Sequence, residues 1–254
     1  MLTARRRSLK LAGLALASAA VAGTARAESS IPPGAKTLES LTRRLASLPR
    51  RRDFKSLPMI LDRRDQWDAD TLDAVLHYAG NPKQSWDNTD IAGPWLNVMR
   101  NAMNAQVWSF RHPDFLCISV THGSAQLALY DDKMWDKYGL AKLTGGKLSR
   151  NSLVTPPPAA DADPKDYQNP HGPFSPAANS IQTLQRRGSV FLACHNAAWE
   201  LAEKLVAADA NPDKISAEAM CAELTNHLIP GVVMTPGAVG TMVELAKAGF
   251  AYAR

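Results

Sequence analysis

Three short apolar runs, each closing on a turn or a helix start, constrain this chain most. They are Phe115-Leu116-Cys117-Ile118-Ser119-Val120, Ser189-Val190-Phe191-Leu192-Ala193 and Val232-Val233-Met234-Thr235. A strand that is apolar at every position, not at alternate ones, is covered on both faces. Such strands belong to parallel sheets with helices on either side, and helical patterns separate these runs. Ser56-Leu57-Pro58-Met59-Ile60-Leu61 reads as a further, first strand ending at Asp62. The expectation is an α/β fold with a doubly wound, mainly parallel sheet.

Helices are expected at Leu38 to Leu48, from Asp68 to about Tyr78, from Pro94 to about Val107, and from Ser180 to Gly188. Further helices are expected at Ala197 to Asp209 with Asn196 as N-cap, from Ser216 to Leu228, and from Val239 to about Ala248. Gly80 to Gly93, with Asn81-Pro82, reads as a loop, and Phe250-Ala251-Tyr252 as a short extended tail. Residues 141–179 hold Gly145-Gly146, Pro156-Pro157-Pro158, Pro164, Pro170, Pro173 and Pro176, a long Pro-rich insertion that suits an arm, a lid or an oligomer contact.

The first 27 residues stand apart and are excluded from the fold. A basic start, an apolar stretch rich in Ala and the ending Ala25-Arg26-Ala27 make a secretory signal, with the mature chain beginning near Glu28. A membrane anchor fits less well, since the apolar stretch is short and mild for a span. Arg5-Arg6-Arg7-Ser8-Leu9-Lys10 resembles the twin-arginine export signal, which implies the export machinery as a partner and a periplasmic location. Residues 28–55 then read as a tether and short helix, and 56–254 as one α/β domain carrying the insertion. The leader holds five of the 29 Lys and Arg and none of the 24 Asp and Glu, so the mature chain carries 24 of each. A basic surface for nucleic acid is therefore not expected. The cluster Arg43, Arg44, Arg50, Arg51 and Arg52 reads as a solvated helix end and linker, because no aromatics are interleaved with it.

Open parallel sheets bind ligands beyond the C-terminal ends of their strands. That rule selects Asp62, His122, Cys194 with His195 and Asn196, and Thr235 with Gly237. Cys194 is the sharpest candidate, because a helix start favours the thiolate form of a cysteine. His122, at another strand end, is its expected catalytic partner, whereas His195 points the other way along an extended segment. Cys117 and Cys221 read as core residues. No Cys-x-x-Cys, His-Glu-x-x-His, dinucleotide fingerprint or phosphate loop occurs, so no cofactor is expected.

The stretch Val190-Phe191-Leu192-Ala193-Cys194, then Leu228-Ile229-Pro230-Gly231-Val232-Val233-Met234-Thr235-Pro236-Gly237, then Glu244-Leu245-Ala246-Lys247-Ala248-Gly249-Phe250-Ala251-Tyr252 resembles the DsrE/DsrF-like family. His122-Gly123 after its strand resembles the family's earlier strand and turn. The resemblance implies a flavodoxin-like α/β sandwich, commonly a homo-oligomer, in which Cys194 carries a persulfide and small sulfur species are the substrate. Two other readings stay open: a non-catalytic periplasmic binding or assembly protein, and a Cys/His metal-binding protein using His122, Cys194 and His195.

Overall fold

The structure is a computed structural model that describes residues 30–154, 165–208 and 210–254. The expected leader, and residues 155–164 of the Pro-rich insertion, lie outside the described residues.

Helix α1 (Lys36–Ser47) opens the described chain. Its N-cap position, Ala35, has no side chain to offer the first N–H groups. Asp114 supplies the acceptor from another part of the chain, taking the N–H groups of Thr37 and Leu38 at 2.8 and 2.9 Å. The region read as a tether is thus bound to the domain from Ser30, whose N–H donates to the Arg186 carbonyl.

Helix α2 (Ala69–Leu76) precedes strand β1 (Lys83–Asn88), and helix α3 (Trp95–Asn104) leads to β2 (Leu116–Thr121). Helices α4 (Asp132–Tyr138) and α5 (Ile181–Arg186) come before β3 (Val190–Cys194). Helices α6 (His195–Ala207) and α7 (Ala217–Asn226) then lead to β4 (Val233–Thr235). Helix α8 (Ala238–Lys247) and strand β5 (Ala251–Ala253) close the chain.

The strands form one sheet in the order β4-β3-β2-β1-β5, with every neighbouring pair parallel. The expected doubly wound α/β fold is present. Side chains alternate across the sheet into two cores. Cys117, Phe191, Ala193 and Met234 pack against α3 to α7, while Leu116, Ile118, Val120, Leu192 and Cys194 pack against α1, α2 and α8.

Two expectations are corrected. Ser56 to Leu61 is not a strand: Leu57 and Leu61 are buried, but Met59 and Ile60 lie exposed. Pro58 lacks an N–H for a ladder, and the segment is pinned by single contacts such as Leu57 N–H to the Glu218 carbonyl. The first strand is instead β1, inside the stretch read as a loop. Its polar residues pass for a loop in sequence, yet their groups find partners in the fold: Asn88 Nδ2 donates to Ser119 Oγ at 2.8 Å, and Lys83 Nζ donates to the Ala248 carbonyl. The extended tail pairs with β1 as β5.

Candidate functional site at the β3–β4 crevice

Strands β3 and β4 are neighbours whose outgoing helices pack on opposite faces. Ala198 and Leu201 of α6 join the first core, and Ala238 and Leu245 of α8 join the second. Where adjacent strands send their chains to opposite faces, the loops part and leave a crevice at the C-terminal edge. Cys194 is the last residue of β3 and pairs in register with Thr235 of β4, which places it at that crevice.

Its sulfur accepts two backbone hydrogen bonds, from Ala197 N–H at 3.4 Å and from Ala238 N–H at 3.2 Å. The first comes from the third position of α6 and the second from the first position of α8. Two helix starts therefore aim unpaired N–H groups and dipoles at one sulfur. Asn196 was expected to cap α6, but the helix begins two residues earlier, so Cys194 itself is the cap and Asn196 lies exposed on the first turn.

The rest of the residue is held as well. Gln126 Oε1 accepts the Cys194 N–H at 3.0 Å, and Gln126 Nε2 donates to the Cys194 carbonyl at 3.1 Å and to Tyr130 Oη at 3.2 Å. Gly237 lets α8 start close to α6, since a Cβ there would stand 3.0 Å from Asn196 Nδ2. Thr235 Oγ1 donates to the Ala193 carbonyl at 2.8 Å, so it ties the two strand ends together.

His122 follows β2, and because Thr121 pairs with Ala193, His122 and Cys194 leave adjacent strands side by side. The imidazole nevertheless turns toward β1, where Nε2 meets Asp87 Oδ1 at 2.7 Å. Tyr252 Oη donates to the other oxygen of Asp87 at 2.9 Å, a bond that also raises the pKa of the phenol. The sequence reading paired His122 with the thiol; the structure pairs it with Asp87. Gly123 fixes the turn that follows, with φ +56° and a position where a Cβ would stand 2.7 Å from the Thr89 carbonyl oxygen.

His195 is buried on the first-core side, with Nε2 2.8 Å from the Pro58 carbonyl and Nδ1 3.7 Å from the Cys221 sulfur. Burial lowers its pKa, partly offset by the carbonyls of Pro58 and Met59. Asp62 is exposed in a loop, its N–H bonded to Gln66 Oε1, and stands at no strand end. Of the expected site residues the fold therefore joins Cys194, Asn196, Thr235 and Gly237, sets His122 beside them, and leaves His195 and Asp62 out. Among the described residues no group of three His, Cys, Asp or Glu side chains is arranged to hold a metal ion.

Gln126, Asp87 and Tyr252 escaped the sequence reading. A cleft of about 210 Å³ also opens beside the site, lined by Ser124, Gln126, Leu127, Ala197, Glu200 and Lys204. The other two cysteines are inert by comparison: burial pushes both the Cys117 and the Cys221 thiol up to about 12.

Among the described residues no helix is long and apolar enough to cross a membrane. Comparison with family models finds no match, and comparison with curated proteins and with solved structures finds none either.

Proposed function

We propose that this is an exported protein of the DsrE/DsrF type that handles sulfane sulfur at Cys194. One observation carries the reading: the Cys194 sulfur accepts N–H groups from the starts of two helices at the crevice of a doubly wound sheet. Such fixed donors stabilise a sulfur anion without rearranging.

The step balances with thiosulfate as donor. The Cys194 thiolate attacks the outer sulfur, the S–S bond of thiosulfate breaks, and sulfite leaves with the bonding electron pair. Cys194 is left as a persulfide anion, and a polysulfide reacts in the same way with a shorter polysulfide leaving. The Asp87–His122 pair stands at the end of the neighbouring strand, without a hydrogen bond to the thiol.

Mass spectrometry after thiosulfate or polysulfide treatment tests the reading. An added sulfur on Cys194, lost in Cys194→Ser, is the expected result; an unmodified Cys194 overturns it. Export by the twin-arginine route belongs to the same proposal, and N-terminal sequencing of the exported protein should find a start near Glu28.

A further inference from the structure

At the opposite edge of the sheet, two arginines are buried together. Arg100 on α3 is 5% exposed, and Arg187, in the turn before β3, is 2% exposed. They share Phe174 as a neighbour: Arg100 Nη1 donates to its carbonyl at 3.3 Å, and the Arg187 guanidinium stands 4.7 Å from its ring centre.

Every hydrogen-bond acceptor found around them among the described residues is neutral. Arg100 Nη2 donates to Asn97 Oδ1 and Asn101 Oδ1, both at 2.7 Å, and Arg187 Nη2 donates to Asn104 Oδ1 at 2.7 Å. Arg100 Nε and Arg187 Nη1 are buried without an acceptor. Burial pushes Arg187 down to about 9, the neighbouring Cys117 acting against it and the like charge of Arg100 adding to it, so Arg187 remains a cation at neutral pH.

A buried charge costs several kcal/mol unless an opposite charge meets it, and here two of one sign stand together. A planar guanidinium with an open N–H group is matched by an oxyanion. We propose that Arg100 and Arg187 form a binding site for a small inorganic oxyanion of the phosphate or sulfate class, held by Arg100 Nε and Arg187 Nη1. Its effect is structural, since neutralising the pair ties Phe174, and with it the described end of the Pro-rich insertion, to α3 and the turn before β3.

Calorimetric titration of the folded chain with inorganic phosphate, against chloride at matched ionic strength, tests this. The expected result is saturable binding of one phosphate per chain, weakened about tenfold or more in Arg100→Gln and in Arg187→Gln. Arg187→Lys keeps the charge and loses the fork, so it guards against a variant that fails to fold and should bind with intermediate affinity. Absence of saturable binding to the unaltered chain overturns the proposal, as does binding that Arg187→Gln or Arg187→Lys leaves unchanged.

Discussion

Cys194 differs from its two fellow cysteines by environment alone. Cys117 lies in the middle of β2 and Cys221 in the middle of α7, where burial holds the thiols neutral far above physiological pH. Cys194 is buried too, in the second core, but it stands where strand gives way to helix, and two backbone N–H groups point at its sulfur. Iodoacetamide at neutral pH should therefore modify Cys194 in the folded protein and reach Cys117 and Cys221 only after denaturant is added; peptide mapping reads the order directly. His195, one residue on, is the opposite case. Its folded-state pKa lies below the unfolded value of about 6.5, so the unfolded chain takes up a proton that the folded chain refuses. Its contribution to stability is complete above about pH 6.5 and is lost as pH falls through that value toward the folded pKa. Urea midpoints measured from about pH 7.5 to 5 should decline for the native sequence, and more shallowly for His195→Gln.

The contrast between β1 and β2 shows how far single elements were legible. Strands β2, β3 and β4 announce themselves, since a run buried on both faces is apolar at most positions and its few polar residues are small. Strand β1 does not, because Lys83, Asp87 and Asn88 reach partners distant in the chain, such as Ala248, His122 and Ser119. The apolar run at Leu57 to Leu61 misled in the other direction, its Pro58 interrupting any ladder. Site residues divide the same way. Cys194 was visible from its place after an apolar strand, whereas Gln126 grips it across 68 residues and nothing local marks that role. Gln126→Leu removes three hydrogen bonds and strands the buried Cys194 N–H, a loss of about 2–4 kcal/mol in chemical denaturation. Retention of full stability by that variant would mean that the strand end is held by other contacts.

The whole molecule explains why one cysteine is singled out. The sheet advances from β1 to β4 with its helices on one face, then α8 returns the chain across the other face to β5 beside β1. That reversal opens the crevice between β3 and β4, where helix starts from both layers face one side chain. The arrangement of layers could be read from the alternation of strands and helices; the strand order could not, because it depends on where β5 pairs. The measurement that bears most directly on the account is sulfur loading of a chain in which Cys117 and Cys221 are replaced by Ser, so that Cys194 is the sole thiol. After thiosulfate or polysulfide treatment, its intact mass should rise by one sulfur that cyanide or dithiothreitol removes. An unchanged mass from a folded protein would contradict the assignment of Cys194 as a sulfur carrier.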